Sequence, residues 1–237
     1  MDLYYLSENI YIKNNKLYLE RNNKCTQVTK YNWHKILCIL GWMKLPRAWI
    51  IKLNKLNKYS QKNSLYGILE CGSDGDCLFN CICYALNSQL LDHDKYYTSY
   101  QLRQELVDHL TVSKFEKFME YYQLIYIDSY QSWNPYKITI DEFKQELLNS
   151  DFWGDHLIIN ELMNILHINI IVLLTNEFES KYMYYHTFHD YNKKNPSIVL
   201  NYINNNHFKL IGHFENGMMV TYFNNLPDEI YSLIRRC

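Results

Sequence analysis

Residues 72–81 read GSDGDCLFNC, and Cys77 is the group in this stretch with covalent chemistry open to it. A helix starting at residue 77 leaves its first N–H groups without intrahelical partners and points the positive end of its dipole at the sulfur. Both effects favour the thiolate, which is the nucleophilic form of cysteine. Gly75 allows a sharp strand-to-helix turn at little steric cost. The same turn aims the backbone N–H groups of Gly75, Asp76 and Cys77 at one spot, an oxyanion site for a tetrahedral intermediate. Asp74 or Asp76 can cap the helix. The stretch therefore reads as a nucleophile platform that needs a base from elsewhere in the chain.

Metal readings fail on spacing. A calcium loop through Asp74 and Asp76 needs an oxygen ligand at 78, glycine at 79 and glutamate at 85; the chain has Leu78, Phe79 and Ala85. Cys71, Cys77, Cys81 and Cys83 are spaced by six, four and two residues, and three of them fall on one predicted helix. They do not converge as a zinc tetrahedron. No metal or cofactor is expected. Cys81 and Cys83 read as packing residues. That reading leaves the polar glycine turn before Cys77 without a reason.

The base must come from nine histidines. His207 follows a run of asparagines and opens the apolar stretch HFKLI. A strand end holds a ring firmly while leaving it at the rim of a sheet. His213 ranks next, and His156 third.

The elements that must position these groups follow from periodicity. YGILE (66–70) reads as a short strand, and a helix runs from about Cys77 to Leu90 with Leu78, Ile82, Leu86 and Leu90 on its buried stripe. Helices are predicted at 99–123, 139–150 and 155–166. INIIVLL (168–174) is a strand covered on both faces, and YMYYHTF, SIVLNY and HFKLIG are further strands. Upstream, IYIKNNKLYLE alternates around Asn14-Asn15 as a hairpin, with a strand near Gln27 to Tyr31. Trp33, Ile36, Leu37, Leu40 and Met43 follow helical spacing, and Pro46 opens a helix bearing Trp49, Leu53 and Leu56. KYSQKNS (58–64) reads as a linker. Pro227, Asp228 and Glu229 open a short helix in the tail. The organisation is thus a basic extension (1–62), a main domain (63–215) and a tail (216–237).

The bounds agree with one intracellular domain plus an extension. The chain has 237 residues, 48% of them hydrophobic, with only 7 glycines and 4 prolines, so it can bury a core and is not linker-rich. No stretch reaches the roughly 18 apolar residues of a membrane helix, and MDLYYLSENI is no signal peptide. Seven cysteines without framework spacing fit reduced thiols and a cytoplasmic setting. Heavy use of Tyr, Asn, Lys and Ile reflects AT-rich coding, which suits a large DNA virus or an intracellular microbe; for a virus the setting is the host cytoplasm. Residues 1–65 hold 12 basic and 3 acidic residues, a net +9, and the remainder holds 12 and 22, a net −10. Contact of residues 1–62 with nucleic acid or an anionic surface is one reading of this split. Packing of the basic part on the acidic part is the favoured one.

DGDCLF (74–79) resembles the Asp-Gly-Asp/Asn-Cys-Leu-Phe signature of the ovarian-tumour (OTU) family of cysteine deubiquitinases. WGDHLIINELMNILHINIIVL (153–173) resembles the family's Trp-Gly segment, helix and following strand, and IVLNYINNNHFKLI (198–211) its closing strand, histidine and final strand. The three blocks stand in the family's order and cover about residues 63–215. The resemblance implies an α/β (α+β) fold with a small, mainly antiparallel central sheet between helical layers. It implies cleavage after the C-terminal glycine of ubiquitin or a ubiquitin-like modifier, with ubiquitin, polyubiquitin or ubiquitinated proteins as partners. Carried over by position, Cys77 is the nucleophile, His207 the general base, and Asp74 the signature aspartate that supports the site.

One position departs from the pattern. Many members carry an acidic or amide residue two positions after the histidine, to hold its ring; here it is Lys209, which cannot accept a hydrogen bond. Asp74, Asn205 or Asn206 can orient the ring instead, with Asp74 first. If none does, the chain is a weak enzyme or a silent ubiquitin-binding module.

Overall fold

The structure is a computed structural model and describes residues 3–56, 64–73, 75–88, 96–126, 133–175, 185–187 (backbone only) and 191–235. It forms two compact units. One joins Met1–Cys71 with Asn169–Cys237 and, among the described residues, holds every strand; the other is Gly72–Ile168, whose described elements are helices.

In the sheet unit the expected hairpin forms between β2 (Ile10–Lys13) and β3 (Lys16–Arg21), with Asn14 and Asn15 at φ 50° and 56°. Positive φ at both turn residues matches the twist of the flanking strands. Asn22 and Asn23 repeat the device, at φ 51° and 57°, and lead into β4 (Lys24–Gln27). The strand expected at Gln27 to Tyr31 therefore lies earlier. β1 (Leu3–Tyr5) completes an antiparallel sheet of order β1-β2-β3-β4.

The helix expected from Trp33 to Met43 is broken. It runs as α1 (Trp33–Ile36) and a 3-10 turn (Leu37–Leu40), and stops at Gly41, φ 85°. Glycine in the left-handed region ends helices, and here it frees Trp42–Lys44 to become β5. Trp42 fits because two glycines make room for it. A Cβ on Gly67 would stand 3.0 Å from its ring, and one on Gly212 2.6 Å away.

The second sheet has the order β5-β6-β10-β9-β7-β8, from β6 (Tyr66–Leu69), β7 (Asn169–Thr175), β8 (Tyr185–Thr187), β9 (Ser197–Ile203) and β10 (His207–Glu215). β11 (Met218–Val220) pairs with β10 and β12 (Tyr222–Phe223) with β9. Among the described strands only β7 and β9 pair in parallel, so the mainly antiparallel expectation holds. Asn216 and Gly217, at φ 52° and 90°, turn the chain into β11 by the same left-handed device as Asn14-Asn15. Trp49 and Leu53 of α2 (Arg47–Leu56) share a core with Ile171, Leu173, Val199 and Ile211 of the sheet and with Ile230 and Leu233 of α8 (Asp228–Ile234). Trp49 Nε1–H donates to Thr175 Oγ1 at 3.0 Å. Leu17 N–H donates to Gly217 O at 3.0 Å. Residues of the extension, the sheet and the tail thus fall in one compact unit. Residues 58–63 of the expected linker lie outside the described residues.

The helical unit comprises α3 (Cys77–Asn87), α4 (Ser99–Asp108), α5 (Val112–Ile125), α6 (Ile140–Leu148) and α7 (His156–Leu166). The single helix expected over 99–123 is two. Thr111 stands in extended conformation and its hydroxyl accepts from Lys114 N–H, so a new helix begins there. Thr98 and Thr139 each form a reciprocal capping box, with Gln101 and Glu142. Phe115, Phe118, Tyr122, Trp133, Phe143 and Phe152 pack ring against ring as the unit's aromatic core. Leu78 and Ile82 are buried on α3 as expected, and Leu90 lies outside the described residues. Among the described residues, no helix is long and apolar enough to cross a membrane.

Candidate active site

Cys77 is the first residue of α3, where the glycine turn places it, and is 8% exposed. Two facts demand glycine at position 75. Its φ is 78°, and a Cβ there would run into the carbonyl oxygen of Ser150. Trp153 Cδ1 lies 3.3 Å from the same point, and a Cβ on Gly154 would collide with the Leu78 side chain. The Asp-Gly-Asp-Cys and Trp-Gly segments are therefore one construction. The second supplies the bare backbone and ring edge against which the first turns.

Asp76 is the N-cap residue by position, but its side chain makes no cap hydrogen bond. Its Oδ1 accepts instead from Arg103 Nη2 at 2.6 Å and Nε at 2.8 Å. Arg103 is 1% exposed. Its Nη1 donates to Leu147 O at 2.9 Å and to Phe152 O at 3.1 Å, and the guanidinium lies 4.0 Å over the Phe79 ring. Burial pulls its pKa below the usual value, and Asp76 opposes that. A buried guanidinium has to be paired, and this pairing ties the start of α3 to α4 and to residues 147–152. Sequence reasoning did not single out Arg103; nothing local marks it as buried.

Gly75 N–H donates to Ser73 O at 3.0 Å, within the turn. Asp76 and Cys77 remain as the candidate backbone donors. Asp74 lies outside the described residues.

His207 opens β10, in the sheet unit, after a turn in which Asn204 and Asn205 take φ 51° and 58°. The asparagine run is thus explained by the left-handed backbone it tolerates. Asn205 and Asn206 are exposed, and neither is the ring's partner. That partner is Glu70, a residue not singled out from the sequence: His207 Nε2 stands 2.6 Å from Glu70 Oε1. Lys209 Nζ stands 3.2 Å from Glu70 Oε2. The register explains the cluster. Leu210 pairs with Leu69 and Ile211 with Ile68, so one step further sets Lys209 across from Glu70. His207, two residues along, points to the same face. The asparagines reverse the chain, and the carboxylate arrives from the neighbouring strand.

His213 is six residues along β10, roughly 20 Å at 3.3 Å per residue. Its ring lies 4.8 Å from that of Tyr66, beside a groove of about 850 Å³ lined also by Lys16, Glu215, Asp228 and Glu229. Neither Cys77 nor His207 lines that groove. His156 opens α7 in the helical unit, its ring edge-on to Tyr121 at 4.6 Å.

Among solved structures the chain is similar to the OTUD1 OTU domain, at 15% identity over 71% of this chain and 93% of that one, TM-score 0.45. It is similar to the Hazara virus OTU bound to ubiquitin, at 16% identity over 64% and 83%, TM-score 0.41. It is also similar to an OTU deubiquitinase from Wolbachia pipientis wMel, at 11% identity over 66% and 92%, TM-score 0.40. No curated protein sequence matches it. The family model described as OTU-like cysteine protease matches residues 72–214, well over half of the chain and a span that includes both Cys77 and His207. The chain belongs to the OTU-like cysteine protease family.

Proposed function

We propose that this chain is a deubiquitinase-type thiol hydrolase, cleaving the isopeptide or peptide bond after the C-terminal glycine of ubiquitin or a ubiquitin-like modifier. The observation that carries the reading is Cys77 at the first position of α3, on a turn that only glycine fits, inside the segment matched to the family. His207 takes the thiol proton, and Cys77 Sγ attacks the glycine carbonyl carbon. The N–H groups of Asp76 and Cys77 hold the oxyanion. Protonated His207 then gives its proton to the departing lysine amine. Water, deprotonated by His207, cleaves the thioester and restores the thiol. These steps balance without metal or cofactor.

The rival reading, a silent ubiquitin-binding module, was motivated by Lys209. That cation pairs with Glu70, which weighs against the rival reading. The test is a ubiquitin probe bearing a C-terminal electrophile. Wild-type protein and Cys81→Ala become labelled, while Cys77→Ala does not. Labelling that survives Cys77→Ala refutes the assignment of the nucleophile. Unlabelled wild-type protein that still binds ubiquitin returns the silent module.

A further inference from the structure

We infer that Glu70 is the positioning residue of His207, and that Lys209 serves to aim Glu70. The inference rests on reading His207 as the base. An ionised carboxylate only accepts hydrogen bonds, so at 2.6 Å the proton between the two groups belongs to Nε2. In the neutral ring that leaves the lone pair on Nδ1, which becomes the atom able to take a proton. One contact therefore fixes both the ring plane and the tautomer. A glutamate side chain has several rotamers, and its second oxygen needs a partner if the first is to stay on the ring. Lys209 Nζ supplies it, at 3.2 Å from Oε2. The lysine that cannot orient the histidine directly does so through the carboxylate between them. Both partners of Glu70 rise from one face of β10, so the sheet register sets the whole cluster.

A merely structural ion pair is the competing account. Glu70 is 41% exposed at its side chain, and ion pairs so open to water contribute little to stability. Loss of Glu70 should then be read in the ring and in reactivity, not in the melting curve.

The experiment uses the full chain. Long-range ¹H–¹⁵N spectra read the His207 tautomer, and the electrophilic ubiquitin probe reads the labelling rate. Wild-type protein should show one tautomer, protonated at Nε2. Glu70→Gln should show a mixture of tautomers and label about 10- to 100-fold more slowly, taking as guide the cost of removing a carboxylate that orients a metal-bound histidine. Its melting temperature should stay near that of the wild type. Lys209→Met, which keeps the carboxylate, should show the same changes to a smaller degree. If Glu70→Gln does not fold, the Lys209→Met spectra carry the decision. Wild-type tautomer and wild-type rate in the variants overturn the inference. Wild-type protein that the probe leaves unlabelled defeats the proposed function instead, and the tautomer spectra still decide what Glu70 does.

Discussion

Gly75 meets two separate constraints, and they make its substitution the sharpest test at the scale of one residue. Alanine at φ 78° costs about 1–2 kcal/mol for the left-handed backbone alone. Its Cβ also meets the Ser150 carbonyl, which is backbone and cannot swing aside as a side chain does. Gly154→Ala meets only the Leu78 side chain, at a backbone angle outside the strained region, so it should cost about 1–3 kcal/mol as ordinary overpacking. Urea denaturation should rank Gly75→Ala as the more damaging, and probe labelling should fall with it, since Cys77 is two residues away. A larger loss from Gly154→Ala would mean that the turn tolerates a side chain. Residues also differ in how far they could be read in advance. Cys77 and Gly75 carry their chemistry in a local pattern, and His207 is marked by the turn before it. Glu70 is an ordinary strand-end glutamate until β6 and β10 are set in register.

Between elements, Arg103 fastens the start of α3 to α4 and to the 147–152 segment through five hydrogen bonds from a buried guanidinium. Arg103→Met removes the cation and leaves the Asp76 carboxylate and the Leu147 and Phe152 carbonyls to find new partners. Breaking a buried pair from one side costs about 3–5 kcal/mol. Asp76 keeps 23% exposure at its side chain, which puts the expected loss at the lower end. Asp76→Asn combined with Arg103→Met should recover part of it, because the uncompensated charge goes too. Equal denaturation midpoints for Arg103→Met and wild type would sink this account. The elements that were legible are those whose cause is local: the Asn14-Asn15 hairpin, the apolar run of β7 and the helix α7. Those that were not depend on partners far along the chain. Trp42 belongs to a strand because Gly67 and Gly212 admit its ring, and no window of helical periodicity holds that information.

At the scale of the molecule, charge sorts with the compact units. The helical unit has 6 basic and 15 acidic residues, net −9, which leaves 18 and 10, net +8, in the sheet unit. The split seen at residue 65 is therefore a difference between two bodies, one of which includes the tail. Within the sheet unit, His213 couples folding to pH. Its Nδ1 is buried and 3.8 Å from Glu215 Oε2, too long for a hydrogen bond. Burial holds its pKa below 6.5, and Glu229 and Glu215 pull upward without cancelling that. In the unfolded chain the imidazole takes a proton at its ordinary pKa, so below about pH 6.5 the unfolded state binds more protons than the native one. Stability contributed by the neutral ring is complete above that pH and is lost as pH falls, at up to about 1.4 kcal/mol per pH unit. Most carboxylates titrate well below this window. The chain holds eight other histidines, so the comparison has to be made against His213→Phe, which keeps a ring beside Tyr66 and removes the proton site. Denaturation midpoints measured from pH 7.5 to 5.5 should fall more steeply for the wild type than for the variant. Parallel curves would show that folding does not sense the proton at His213.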